Sequence, residues 1–172
     1  MIEYNMSEKT VMNYLTFVLK DPDTLETKCV GVKYKKTSFT EVDLARIVKT
    51  GTLNADVKKW IKDLSKEDKA PLIEILYKGS DSATACYHKQ KVLIEMSQNN
   101  SSLVGLKTTP KKYTKNVRSN IDMRRPIVDQ FGEKYPGVLE AGEKLLLAPS
   151  NISKVLHGKL EHIGGYKFTF AD

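Results

Sequence analysis

The chain has 172 residues, of which 40% are hydrophobic and 28% charged, and its formal net charge is +7. This length and composition exclude a disordered chain and allow one domain, or a medium domain with a small module. The apolar runs are far shorter than the roughly 20 residues that span a bilayer, so we expect no membrane partner. The N-terminus has no signal-peptide pattern, and Cys29 and Cys86 suggest neither a disulfide framework nor a zinc site, so we expect a cytoplasmic protein.

The first 95 residues carry the pattern of one small α/β domain. The apolar run Tyr14–Leu19 predicts a buried strand, and residues 28–34 predict its partner in a hairpin whose turn contains Asp21, Pro22 and Asp23. The elements that follow are a helix capped by Thr40, a helix from Asn54, a strand at 70–79 and a helix that begins near Ser80–Ser82.

Residues 96–125 hold most of the excess positive charge. The segment has proline at both ends of its basic part and few periodic apolar positions, which is typical of an extended linker. It contains seven basic residues and a single acid, Asp122, so we expect it to lie along a duplex backbone or in a minor groove. A solvated linker that touches nothing is the alternative. The candidate DNA-contacting residues are Lys107, Lys111, Lys112, Lys115, Arg118, Arg124 and Arg125.

Residues 126–172 predict a small third unit built around two short helices. The predicted elements are a strand at 127–131, a turn at 132–137, a helix at 138–147, a turn at 148–150, a helix at 151–159 and a strand at 164–170. Two short helices joined by a tight turn indicate a helix-turn-helix.

The second short helix has the pattern of a recognition helix. Ser150 can cap it and Gly158 can end it, while Ile152, Val155 and Leu156 share one inward face. The side chains left to point outward are those that read base edges or bind phosphate. The candidate DNA-binding residues of this unit are Ser150, Asn151, Ser153, Lys154, His157 and Lys159. A helical hairpin that only packs is the alternative.

A resemblance to a known family favours a DNA-recognition helix over a hairpin that only packs. The segment "RRPIVDQFGEKYPGVLEAGEKLLLAPSNISKVLHGKLEHIGGYKFTF" resembles the C-terminal DNA-binding module of phage and intron homing endonucleases, known as the NUMOD or intron-encoded nuclease repeat. Pro149 is a small departure from the module's usual turn. The matching residues are Glu140, Ala141, Leu146, Ser150, Ile152, Ser153, Val155, Leu156, Gly158, Lys159, Gly164, Gly165, Tyr166 and Phe168.

The N-terminal domain resembles, more weakly, the GIY-YIG nuclease domain that often precedes such modules. An HNH nuclease is not expected, because the chain has only three histidines, two of them in the C-terminal unit. In the GIY-YIG comparison, Phe17 and Cys29 stand where the family has its two tyrosines, and Gln90 stands where it has its metal-binding glutamate. Arg46 matches the helix arginine of the family as a possible remnant. The resemblance therefore implies a degenerate domain with no catalytic or metal-binding residues.

The predicted fold is α/β: a GIY-YIG-like domain at 1–95, an extended basic linker at 96–125 and a helix-turn-helix module flanked by short strands at 126–172. We expect a sequence-specific binder of double-stranded DNA that has lost cleavage, needs no cofactor, acts as a transcriptional repressor and forms a possible dimer. One alternative is an active Mg²⁺-dependent homing endonuclease, which would need Glu74 or Glu95 as its metal ligand. The other is a protein-binding module that inhibits a related nuclease.

Overall fold

The computed structural model describes residues 13–50, 54–99, 104 and 124–171, and these residues form an α/β fold with two antiparallel sheets of three strands each. The first sheet has the strand order β2-β1-β3. The elements of this part are β1 (Asn13–Lys20), β2 (Thr27–Lys35), α1 (Glu41–Thr50), α2 (Ala55–Lys66), β3 (Leu72–Gly79) and α3 (Ser82–Gln98). Their order agrees with the order expected from the sequence.

The central strand β1 separates two apolar layers. Leu15, Phe17 and Leu19 face the helices α1 and α2, where they pack with residues such as Ile61. Val18, on the other face of the strand, packs toward α3. This alternation follows from the period of two in a β-strand, and it makes β1 buried on both faces.

Side-chain caps begin the helices of this layer. The Thr40 hydroxyl accepts the Asp43 N–H at 3.4 Å while the Asp43 carboxylate accepts the Thr40 N–H at 2.9 Å, which confirms the predicted cap of α1. The cap of α3 is Asp81 rather than a serine, and its carboxylate accepts the N–H groups of Ala83 and Thr84. The helix begins at Ser82, as expected from the sequence, and the carboxylate of Asp81 is a stronger acceptor for these amides than the neighbouring serine hydroxyls.

The second sheet and two helices form the C-terminal unit. Its elements are β4 (Ile127–Asp129), β5 (Lys134–Tyr135), α4 (Val138–Leu145), α5 (Pro149–Leu156) and β6 (Phe168–Phe170), with the strand order β5-β4-β6. The segment 132–137, which was expected to be only a turn, contains β5, and β6 is shorter than the predicted strand. The core of the unit consists of Ile127, Tyr135, Val138, Ala141, Leu145, Leu147, Ile152, Val155, Tyr166 and Phe168.

A buried carboxylate holds the β4–β5 connection. Asp129 accepts the N–H groups of Phe131 and Glu133 and the hydroxyl of Tyr135, each at 2.9–3.0 Å. Burial and the hydrogen bond to Asp129 raise the pKa of Tyr135 well above its ordinary value, so the phenol stays protonated and remains a donor. These three bonds explain how two residues of β5 pair with β4 in a segment rich in turn-forming residues.

Helix α3 contacts both units. Val92 packs against the first sheet, whereas Tyr87 and Ile94 pack against the C-terminal core. The helix runs through Gln98, three residues past the boundary that the sequence predicts for the first domain. Its two apolar sides therefore connect the first sheet to the C-terminal unit.

Candidate DNA-binding surface

The helices α4 and α5 are joined by the three residues 146–148 and contact each other, which is what the predicted helix-turn-helix requires. Helix α4 ends at Leu145, its C-cap Leu146 has a left-handed φ of 54°, and the Leu147 N–H donates to the Gly142 carbonyl at 2.9 Å. A Cβ at Gly142 would lie 2.8 Å from the Leu147 carbonyl oxygen and 2.9 Å from Pro149 Cγ. Gly142 was not predicted as a structural residue, although a glycine inside a helical pattern is a signal of such a close approach.

The inward side of α5 is the predicted one. Ile152 and Val155 are buried in the C-terminal core, and Leu156 packs against it. This i, i+3, i+4 set fixes which side of the helix remains for a ligand.

The ends of α5 agree only partly with the prediction. The helix begins at Pro149 with Ala148 as its N-cap and no side-chain cap, so the expectation that Ser150 caps it was wrong. Proline suits this first position because its ring fixes φ and it has no N–H to satisfy. At the other end, Gly158 has a φ of 68°, its N–H donates to Val155, and the Lys159 N–H donates to Lys154 at 2.8 Å. This pattern is a Schellman motif, and it confirms Gly158 as the end of the helix.

The predicted polar residues on the outward side of α5 differ in their exposure to solvent. Ser150, Lys154 and His157 are exposed, whereas Asn151 and Ser153 are half-buried. The Lys154 ammonium lies 3.4 Å from the Asn151 amide oxygen, and His157 Nδ1 lies 2.7 Å from the Ser153 carbonyl oxygen. The first contact places a cation beside an amide on the outward side of α5, and the second holds an imidazole at its C-terminal end. Such groups can bind base edges and phosphates.

An aromatic contact connects the basic segment to the end of α5. The guanidinium carbon of Arg125 lies 4.3 Å from the ring centroid of Phe170, and the His157 ring meets the same phenylalanine edge-on at 6.1 Å. A cation over an aromatic face is attracted to the ring, and Arg125 remains exposed to solvent. The last residue of the predicted basic linker thus lies beside the C-terminal end of the helix. Sequence reasoning missed Phe170, because it is separated from both partners along the chain.

The other predicted DNA-binding residues divide into two groups. Arg124 and Lys159 are exposed on the C-terminal unit. The predicted contacts Lys107, Lys111, Lys112, Lys115 and Arg118 lie outside the described residues.

The positions compared with nuclease catalytic residues do not converge. Phe17 is fully buried opposite Gly31, and a Cβ on that glycine would lie 2.5 Å from the Phe17 ring. Cys29 is buried on the same face of the sheet, and burial raises the pKa of its thiol. Gln90 is buried against the C-terminal unit, on α3 and therefore across the sheet from Phe17, while Arg46 is exposed on α1.

The glutamates named for the nuclease alternative line a cleft of about 630 Å³ between the first sheet and α3. The Glu74 carboxylate forms an ion pair with Lys20 at 2.5 Å, and Glu95 lies on the exposed part of α3. Among the described residues, no group of three or more His, Cys, Asp or Glu side chains is arranged to hold a metal ion. None of the helices formed by these residues combines the length and the apolar character that crossing a membrane requires.

The C-terminal unit is similar to a DNA-binding module of DNA endonucleases. Residues 127–169 match the NUMOD-like domain of I-HmuI-like DNA endonucleases. The matched region begins with β4, ends within β6 and contains both helices of the helix-turn-helix. This match confirms the resemblance predicted for the C-terminal unit and indicates that DNA is its partner. The likeness of the first domain to GIY-YIG nucleases stays a prediction. Searches among curated proteins and among solved structures returned no significant match.

Proposed function

We propose that the protein binds a specific sequence of double-stranded DNA without cutting it, and that it represses transcription by occupying its site. The observation that carries the proposal is the outward side of α5, where Asn151, Lys154 and His157 lie on a helix-turn-helix inside the endonuclease-like region. An amide that bonds adenine and an ammonium that reaches guanine supply discrimination, and nearby arginines supply sequence-independent affinity.

The absence of cutting is supported by the chemistry of the first domain. Phenylalanine at position 17 has no hydroxyl that could orient a water molecule, and the thiol of Cys29 is buried with a raised pKa. The neutral amide of Gln90 is a poorer ligand for a hard divalent cation than a carboxylate, and it is already bonded to a backbone carbonyl. A homing endonuclease that lost these groups would keep its DNA site and lose its reaction.

Repression is the simplest consequence of site occupancy without chemistry. A protein held on a promoter excludes polymerase in proportion to its affinity for that site over the rest of the genome. The proposed setting is the cytoplasm of a bacterial cell that carries a phage or another mobile element.

The test begins with selection of bound fragments from sheared phage and plasmid DNA by the full chain. The selected site and a scrambled duplex are then titrated, and the site is placed upstream of a reporter gene. We expect a preference of at least about 10³-fold for the site and reduced reporter expression. Equal affinity for all duplexes contradicts specific recognition. Inhibition of a related nuclease without any DNA binding would favour the protein-binding alternative.

A further inference from the structure

A two-glycine turn of the C-terminal unit lies directly on the backbone of α3. Gly164 and Gly165 have φ values of 58° and 81°, and they form the turn between the bridged residues Ile163 and Tyr166. A Cβ at Gly165 would lie 2.3 Å from the Ala83 carbonyl oxygen and 2.4 Å from the Tyr87 backbone nitrogen. The left-handed conformation explains why the turn takes glycine, but this close approach is a separate requirement that only the contact with α3 imposes.

The side chain of Gln90 joins the same helix to the helix-turn-helix. Its amide nitrogen donates to the Leu145 carbonyl at 2.6 Å, and Leu145 is the last residue of α4. The last carbonyls of a helix have no partner within the helix, so this amide satisfies one of them at the turn that leads into α5. The side chain also lies against Gly164, since a Cβ on that glycine would be 3.2 Å from the amide oxygen.

Aromatic rings also pack between α3 and the C-terminal unit. Tyr87 on α3 lies 4.9 Å from the ring of Phe131 and 5.4 Å from the ring of Tyr166, measured between centroids. Ser82, at the start of α3, lies 3.5 Å from His162 through its hydroxyl oxygen and the ring Nε2. These contacts extend along α3 from Ser82 to Gln90, and Ile94 continues the contact surface one turn further.

We propose that the N-terminal domain is a platform that fixes the direction of the recognition helix, and that Gln90 is its positioning residue. The inference rests on the proposed function and deepens it. Gln90 does not touch the proposed DNA surface, but it holds the end of α4 from which the turn enters α5. The position compared with a metal ligand thus has a mechanical role that a carboxylate could not fill, because a carboxylate has no hydrogen to donate to a carbonyl.

The first experiment tests the platform without DNA. A protease site is introduced between Lys107 and Lys115 of the full chain, the chain is cut there, and the fragments are separated by gel filtration. We expect the two fragments to elute together. The variant Gly165→Ala should separate them, whereas Gly132→Ala should not, because Gly132 also has a positive φ, of 86°, but has no atom within 4 Å of an added Cβ. Separation of the wild-type fragments, or equal behaviour of the two variants, would overturn the platform.

The second experiment tests positioning in the uncut chain. Gln90→Glu should lower the affinity for the selected site roughly tenfold and the affinity for scrambled DNA much less, because a displaced recognition helix loses base contacts first. The matched control is Gln98→Glu, the same substitution on the exposed end of α3, which should change neither affinity. Equal losses on both duplexes would reduce Gln90 to a stabilising residue and overturn its positioning role.

The two experiments separate this inference from the proposed function. If the fragments stay together but the intact chain binds no duplex, the proposed function and the positioning role both fail while the contact itself remains. If the fragments separate and the chain still discriminates between duplexes, the proposed function stands and the platform fails.

Discussion

The residues on the outward side of α5 carry the discrimination that we propose. Removing Asn151 or Lys154 by substitution with alanine should cost about 1–3 kcal/mol on the selected site and much less on a scrambled duplex, because base contacts discriminate and phosphate contacts do not. Binding titrations on both duplexes measure this difference, and circular dichroism checks the folding of each variant. The matched control is Lys62→Ala, an exposed lysine on α2, which should leave both affinities unchanged. Equal losses on the two duplexes would reduce α5 to a phosphate clamp.

Local spacing explains which of these residues could be predicted. Ile152 and Val155 repeat at helical intervals, so their burial followed from the sequence alone. The start of α5 did not, although Pro149 was a usable signal, since proline is frequent at the first position of a helix. The contacts of Phe170 with Arg125 and His157 depend on the pairing of β6 with β4, which no local pattern encodes.

At the scale of the element, the cap of α1 should respond to acid. The ammonium of Lys35, followed by the backbone and hydroxyl of Thr40, lowers the pKa of Asp43 from 3.8 to about 2. The charged form is thus favoured in the folded protein, and its stabilisation is fully present above about pH 4 and is lost as the pH falls through about 2. Urea unfolding should find Asp43→Asn less stable than wild type at pH 6 and nearly equal at pH 2. Lys35→Met removes the ammonium that contributes most to the low pKa of Asp43. In that background, Asp43→Asn should cost less stability at pH 6 than it does in the wild type, and an equal cost would contradict this account.

The basic segment should supply affinity without specificity. Replacing Lys111, Lys112 and Lys115 together by glutamine should weaken binding to all duplexes alike. It should also reduce the slope of log affinity against log salt by up to about 0.9 for each phosphate that the segment no longer neutralises. The control replaces three exposed lysines of α2, Lys58, Lys59 and Lys62, and changes the net charge equally. If both triple variants show the same salt slope as wild type, the segment does not lie on the DNA.

The helices and strands were predictable where their apolar residues form a single face or run. The hairpin of β1 and β2 and the helices α1, α2 and α4 have one clear apolar face or run, and the structure contains them. Helix α3 has apolar residues on two sides, since Val92 packs against the first sheet and Ile94 packs against the C-terminal core. The sequence therefore predicted the helix but not that it touches both units.

For the molecule as a whole, we expect no cleavage of DNA. Incubating the full chain with its selected site and Mg²⁺ should leave the duplex intact, because neither the positions Phe17, Cys29 and Gln90 nor the cleft around Glu74 offers a set of metal ligands. Gel electrophoresis with and without chelator measures this. Specific breaks that disappear with chelator, and with Glu74→Gln or Glu95→Gln, would instead establish the nuclease alternative.

The arrangement of the two units was the least predictable feature. Composition shows where a basic segment separates two patterned regions, and it suggests independent domains. The contact that joins these regions uses the backbone of Gly165 and the amide of Gln90. Neither a glycine nor a glutamine belongs to an apolar, periodic pattern, so this contact could not be predicted from the sequence.

The ring of Phe17 lying over Gly31 has an evolutionary consequence. If the domain descends from a nuclease, a return to tyrosine at position 17 would bring a hydroxyl into a fully buried apolar layer, where an unpaired polar group is costly. A return to glutamate at position 90 would cost the bond to Leu145 before any reaction could be gained. Each of these two substitutions would therefore lower the stability of the fold before any reaction was gained. If the proposed loss of cleavage is right, single substitutions would not easily reverse it.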